Sequence, residues 1–103
     1  MISRQWRGLA RSQSADAYVE HLQNETFPAI AKLPGFVRAT ILRRALPAGV
    51  EFLIVTEWES LDAIRAFAGS DVQAAVVPAK VQDMMIEYDP VVKHYEVLGL
   101  PSR

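Results

Sequence analysis

The chain predicts an α+β fold with elements in the order β-α-β-β-α-β, an antiparallel sheet carrying its helices on one face. Three observations carry this. The stretch Gly49 to Gly69, GVEFLIVTEWESLDAIRAFAG, passes from a buried strand almost directly into a capped amphipathic helix. Pro34-Gly35 and Pro47-Ala48-Gly49 bracket a segment rich in β-formers. At 103 residues there is material for one core but not two, so a single domain spans 1–103.

Ile2 to Ala10 is the first strand: Ile2, Arg4, Trp6 and Gly8 share one face, and Ser3, Gln5, Arg7 and Leu9 the other. Ser12 to Ser14 is a polar break, with Ser14 placed to cap the next helix. There Ala15, Tyr18, Val19, Leu22 and Thr26 keep helical spacing, while Asp16, Glu20, Gln23 and Asn24 take the wet side. Pro28 disfavours helical geometry at Phe27, so a break or kink is expected there, with Ala29 to Leu33 as a further turn. Phe36 to Leu46 is the second strand and Val50 to Trp58 the third. Phe52, Leu53, Ile54 and Val55 are consecutive and apolar, so both faces need cover at that point. Ser60 caps the following helix, Asp62 suits its positive end, and Gly69 stops it. Leu61, Ile64, Phe67 and Ala68 fall on one side of it. Ser70-Asp71 opens a turn, with Asp71 as a possible cap. Pro78 suits the first position of a last helix carrying Val81, Met84 and Met85, which Asp89-Pro90 ends. Val91 to Leu98 closes the sheet, and Gly99 to Arg103 is a short tail.

This order is the split βαβ, ferredoxin-like arrangement. Its helices cover one face only. The other would show Leu53 and Val55, or Phe52 and Ile54, with Val37, Ala39, Ile41 and Val97 as apolar neighbours. Such a patch exceeds what a soluble monomer usually exposes, so a two-fold homodimer is the expected cover.

Composition excludes several function classes. Half the residues are hydrophobic and 22% are charged, an ordinary globular balance. A formal charge of −1 gives no basic footprint for nucleic acid or for a membrane surface. With no cysteine there is no disulfide, thiolate metal site or cysteine nucleophile. No apolar run approaches the roughly 20 residues of a membrane span, and the N-terminus lacks a signal-peptide core, so a cytoplasmic protein is expected. The five glycines are scattered singly, without a phosphate-binding loop, and nicotinamide, nucleotide-triphosphate and flavin fingerprints are absent.

Several short pieces fall in a telling order: W-R-G at Trp6 to Gly8, L-P-G-F at Leu33 to Phe36, V-E-F at Val50 to Phe52. They continue with W-E-S-L-D-A-I-R-A-F-A-G at Trp58 to Gly69, A-V-V-P at Ala75 to Pro78, and H-Y-E-V at His94 to Val97. In these, from Ile2 to Leu98, the chain resembles the antibiotic-biosynthesis-monooxygenase-like families of the dimeric α+β barrel superfamily. The resemblance implies two sheets back to back in a dimer, with a cleft in each subunit between sheet and helices. Members include cofactor-free oxygenases of aromatic polyketides, haem-degrading monooxygenases and isomerases. The haem-degrading branch carries a strand-one asparagine, a tryptophan on the second helical segment and a histidine on the helix after it. The matching positions here are Trp6, Phe67 and Val77, which leaves no axial ligand and argues against haem degradation.

His94, in the last strand beside Tyr95, is a candidate proton acceptor: an imidazole could generate the electron-rich anion that reacts directly with oxygen. The competing reading is a histidine hydrogen-bonded within the sheet or an interface. His21 lies at the edge of the first helix's apolar stripe, with Tyr18 a turn before it and Glu25 four residues after. That spacing suits either a carboxylate-oriented base or a surface His-Glu pair; no third ligand indicates a metal. Trp6 and Arg4 share a strand face, where tryptophan could stack on a flat ring and arginine stabilise an enolate or phenolate. Alternatively Trp6 is core and Arg4 pairs with Glu57 or Glu96. Glu51 and Glu57 share a face and are placed to pair with Arg43 or Arg44. Trp58 and Met84-Met85 are core or interface packing.

The leading expectation is therefore a homodimeric monooxygenase needing neither metal nor organic cofactor, acting on a small aromatic or quinol-type metabolite. His94 or His21 would remove a proton, Arg4 would stabilise the anion, and Trp6, Tyr18, Phe67 and Tyr95 would shape the pocket. The alternatives are a non-catalytic dimeric small-ligand-binding module, or an isomerase or lyase of the same superfamily.

Overall fold

The structure, a computed structural model, describes residues 1–99. Of the expected tail, Gly99 to Arg103, all but Gly99 lies outside the described residues. Five strands form one antiparallel sheet: β1 (Ile2–Ala10), β2 (Phe36–Leu46), β3 (Gly49–Trp58), β4 (Met85–Tyr88) and β5 (Lys93–Glu96). They lie in the order β2-β3-β1-β4, with β5 also paired to β1. The helical pieces are α1 (Ala15–His21), α2 (Phe27–Ile30), α3 (Leu61–Ala68) and α4 (Ala79–Gln82). None is long and apolar enough to cross a membrane. This is the α+β, ferredoxin-like arrangement, with the final edge strand broken in two.

Alternation on β1 and β3 decides which side is covered. Cross-strand pairs Gly8↔Phe52, Trp6↔Ile54, Arg4↔Thr56 and Ile2↔Trp58 point toward the helices. Tyr18 and Leu22 pack over Phe52 and Ile54 in one cluster. Ile30 and Ile64 pack over Trp58 in a second, with Trp58, Phe52 and Ile64 fully buried. Of the two alternatives for the open face, Leu53 and Val55 are therefore the ones displayed. Ile41 pairs with Ile54 and Ala39 with Thr56, which puts both on the helix side and makes the open apolar strip narrower than expected.

The last helix and closing strand depart from expectation. α4 stops at Gln82, and Met85 belongs to β4 rather than to that helix. A short apolar run such as Met84-Met85-Ile86 does not distinguish helix from buried strand by period. Sheet pairing does: β5 covers β1 only from Ile2 to Gln5, and β4 takes the remaining backbone groups from Gly8 to Ala10. The expected strand from Val91 to Leu98 contracts to β5. Pro28 also acts differently. Phe27 is helical, and the distortion falls upstream as a π turn, Leu22–Thr26, in which the Phe27 N–H donates to the Leu22 carbonyl. The wide turn accommodates the ring of Pro28 and its missing N–H.

The β2–β3 hairpin closes over two residues, because Gly49 already pairs with Leu46. A Cβ on Gly49 would stand 2.3 Å from the Ala10 carbonyl oxygen, a backbone atom that cannot swing aside. α3 is built as its sequence implies, with the Ser60 hydroxyl accepting from the Ala63 N–H at 3.2 Å. Gly49→Ala is expected to lower stability by about 1–3 kcal/mol by overpacking. Gly99→Ala, where a Cβ meets nothing within 4 Å, should stay within about 0.5 kcal/mol of the parent. Urea unfolding of the two variants measures this, and equal losses would contradict the close approach.

Candidate active site

An apolar cavity of about 390 Å³ lies between the sheet, the first helical segment, α3 and the chain leading into α4. Trp6, His21, Leu22, Phe67, Val77 and Val81 are part of its wall. An inner chamber of about 70 Å³ adjoins it, sharing Trp6, Leu22 and Phe67 and reaching Arg4, Thr56 and Val92. The larger space is near the low end of the roughly 300–1,000 Å³ typical of small-molecule sites.

Trp6 sits where the two spaces meet. Its indole N–H donates to the Asp89 carbonyl at 2.8 Å, and its ring meets Tyr18 edge-on at 6.3 Å between centroids. Gly8 makes this possible: a Cβ there would stand 2.6 Å from the Trp6 ring and 3.0 Å from the Met85 sulfur. That is a physical reason for the Trp6-Arg7-Gly8 triplet. Phe67 stacks on Trp58 at 6.0 Å with its ring 21° from parallel. The Arg4 guanidinium lies 5.6 Å from the Phe67 centroid, within cation–π range.

His21 is 9% exposed and lies on the wall of the larger cavity. Its Nδ1 is 3.0 Å from Glu25 Oε2, one helical turn on. Lys80 of α4 donates to the same oxygen at 3.0 Å. Hydrogen bonds from Lys80 and His21 hold the Glu25 carboxyl below the usual carboxylate range. An ionised carboxylate only accepts, so Nδ1 carries the hydrogen, and in the neutral ring the lone pair is on Nε2.

Arg4 is only 4% exposed. Its Nη1 donates to the Val72 carbonyl and to His94 Nε2 at 3.1 Å, and its Nη2 donates to the Ala74 carbonyl at 2.9 Å. Neither expected carboxylate partner, Glu57 or Glu96, is used. Burial pushes the Arg4 guanidinium down to about 10, so it is charged at neutral pH. Because an arginine can only donate, His94 must accept through Nε2. Burial first, and the Arg4 charge second, push the His94 imidazole down.

Of the residues singled out in the sequence, Arg4, Trp6, His21 and Phe67 meet at these two spaces. His94 touches Arg4 but lines neither chamber. Tyr18 lies in the core against Phe52, ring centroids 4.9 Å apart, with its hydroxyl pKa raised by burial. Tyr95 pairs with Ser3 and projects from the open face, 49% exposed, because alternation sends it opposite to His94. The three positions compared with the haem-degrading branch, Trp6, Phe67 and Val77, share the cavity, and neither Phe67 nor Val77 offers a ligating atom. Among the described residues no group of three or more metal-ligating side chains gathers. Lys80 and Val76 drew no functional reading from the sequence, and Val77 entered only as the counterpart of the haem-degrading branch's histidine. The Val76-Val77-Pro78 wall belongs to an irregular segment with no periodic signal.

Residues 2–79 match the sequence model of the family described as Antibiotic biosynthesis monooxygenase. No curated protein sequence is a match. Among solved structures, the chain is similar to a candidate antibiotic biosynthesis monooxygenase from Bacillus cereus. Identity is 19%, coverage 99% of this chain and 97% of that one, and the TM-score 0.70. It is also similar to the monooxygenase from the gene ActVA-Orf6 of Streptomyces coelicolor, in complex with nanaomycin D. There identity is 21%, coverage 98% and 92%, and the TM-score 0.67. SnoaB of Streptomyces nogalater, a cofactor-independent oxygenase seen in a mutant form, gives 19%, 98%, 97% and 0.70. At these identities the structures attest the fold, and the sequence match over residues 2–79 attests the lineage: the chain belongs to the antibiotic biosynthesis monooxygenase family.

Proposed function

We propose that this protein is a homodimeric, cytoplasmic monooxygenase that acts without metal or organic cofactor on a small aromatic or quinol-type metabolite, with His21 as its base. The observation that carries the reading is the His21–Glu25 pair on the wall of an aromatic, apolar cavity. A ring lying against Trp6 and Phe67 would present an acidic O–H or C–H to His21 Nε2. Glu25 stabilises the imidazolium that results, as a carboxylate behind a catalytic histidine does. The deprotonated ring is electron-rich: its carbon forms a C–O bond to dioxygen, and the resulting peroxide loses water by O–O cleavage to leave a quinone, the substrate supplying all the electrons. Arg4 supplies positive potential at the inner end, which favours an anionic ligand. His94 is the poorer base, since its Nε2 lone pair already accepts from a guanidinium.

An oxygen electrode with a dihydroxynaphthalene and an anthrone as probes tests this. His21→Ala is expected to lower turnover by about 10²–10⁴-fold, with Glu25→Gln intermediate. Unchanged turnover in His21→Ala would remove the base. The withdrawal of His94 into a hydrogen-bonded wall favours the second reading, a ligand-binding module without chemistry. Tight binding of both probes with no oxygen uptake and no altered product would support it. An altered product formed without oxygen uptake would support an isomerase or lyase.

The His94 assignment has its own test. A folded-state pKa below the ordinary 6.5 means the native state resists protonation more than the unfolded chain. Its stabilising contribution is complete above about pH 6.5 and fades as pH falls below that. An NMR titration should place the His94 midpoint under 6.5, and His94→Gln should flatten the acid-side loss of stability. A midpoint above 6.5 would contradict the Arg4 contact.

The homodimer is proposed on the open sheet face. Leu42 and Leu53 are a cross-strand pair there, Val55 follows on the same face, and Leu42 is 49% exposed. Arg44–Glu51–Arg7 pairs border this strip at one end and Arg38–Glu57 at the other. A second copy of the same face would bury the strip and leave the ion pairs at the rim. Sedimentation equilibrium should show a dimer at micromolar concentration that Leu53→Glu converts to monomer; a stable wild-type monomer would sink the idea.

A further inference from the structure

We propose that Arg4 makes the inner chamber a carboxylate-binding subsite, so that the molecule this cavity takes is an aromatic carboxylic acid. Its ring would lie between Trp6 and Phe67 and its carboxylate on the unengaged N–H groups of Arg4. The inference rests on ligand binding in this cavity, as proposed above, and is independent of His21 being the base.

The first support is a missing counter-charge. Arg7, Arg38, Arg43, Arg44 and Arg65 each pair with a carboxylate, and all of them are at least one-third exposed. Arg4 is the most deeply buried guanidinium, and among the described residues it pairs with none. Backbone carbonyls and a neutral imidazole satisfy hydrogen bonds but bring no negative charge. A buried cation without a counter-ion is expensive, and a bound anion would relieve that.

The second support is donor arithmetic. A guanidinium carries five N–H bonds, and three are engaged by Val72, His94 and Ala74. Among the described residues, the Nε hydrogen and one Nη2 hydrogen are left over. No side-chain nitrogen among the described residues is both sealed and unpaired, so the unpartnered Nε is reachable. Free donors on a guanidinium can meet a carboxylate through charge-assisted hydrogen bonds, the partner arginine binds most strongly.

The third support is shape. The inner chamber, about 70 Å³, suits a functional group rather than a ring, while the adjoining space of about 390 Å³ is apolar and aromatic. Phe67 lines both and sits against the guanidinium, so a ring on Phe67 can reach Arg4 with a directly attached carboxylate.

Calorimetric titration of the full-length protein with 2-naphthoate and its neutral near-isostere 2-naphthamide, at neutral pH and low salt, tests the proposal. Naphthoate should bind about ten- to a hundredfold more tightly, as a pair of charge-assisted hydrogen bonds allows. Arg4→Gln should erase that difference. Equal affinities in the wild type, tighter binding of the amide, or no binding of either probe would overturn the proposal. So would a preference for naphthoate that survives in Arg4→Gln. Should that variant fail to fold, the wild-type comparison still decides, and a crystal structure with naphthoate whose carboxylate lies away from Arg4 would overturn it too. These outcomes involve no oxygen chemistry, so they fail or succeed apart from the His21→Ala result.

Discussion

A guanidinium that stays charged and is almost wholly buried must be met by acceptors, and in this fold the acceptors come from a segment with no regular structure of its own. Arg4 draws the carbonyls of Val72 and Ala74 onto β1. The same segment is then stitched to the break between β4 and β5: Ala74 bridges Val91, the Ala75 N–H donates to the Pro90 carbonyl, and the Val92 N–H donates to the Gln73 carbonyl. These ties fix the chain just before Val76, Val77 and Pro78, which complete the cavity wall. One buried side chain thus links the central strand, the broken edge strand and the wall opposite α1.

β1 divides the molecule's two surfaces. Arg4 and Trp6 face the helices, while Gln5 and Arg7 face outward with Leu53 and Val55. A one-residue slip of β1 would exchange those sets and put a tryptophan on the open face. Several contacts oppose the slip. The Trp6 indole is held by the Asp89 carbonyl, its ring lies over Gly8, and the Asp89 N–H donates to the Arg7 carbonyl at 3.0 Å. The irregular turn after Tyr88 therefore serves register as well as sheet closure.

What was legible in the sequence was local. The limits of β1, the Ser60 cap, the stop at Gly69 and, apart from the exposed Leu61, the apolar side of α3 follow from spacing within a few residues. So does the His21–Glu25 pair, since residues four apart on a helix are neighbours. The π turn was not legible, because Pro28 announces a disturbance without saying where the helix absorbs it. β4 was not legible, because three apolar residues fit a helix or a strand until a partner is known. The Arg4–His94 contact joins residues 90 apart in sequence. It depends on β5 pairing with one half of β1, which no short-range pattern specifies.

The two histidines show how partner chemistry separates identical side chains. Each has one ring nitrogen engaged, at 3.0 Å for His21 and 3.1 Å for His94. A carboxylate partner accepts a hydrogen bond from one nitrogen, which in the neutral ring puts the lone pair on the other, and it stabilises the ring once protonated. A guanidinium partner consumes the lone pair, leaves an N–H outward, and opposes protonation. The first arrangement suits a proton acceptor beside a cavity. The second suits a neutral hydrogen-bond acceptor that helps hold a cation in place without cancelling its charge. An imidazole acceptor brings no counter-charge, so His94 gives Arg4 a hydrogen bond where a carboxylate would have neutralised it.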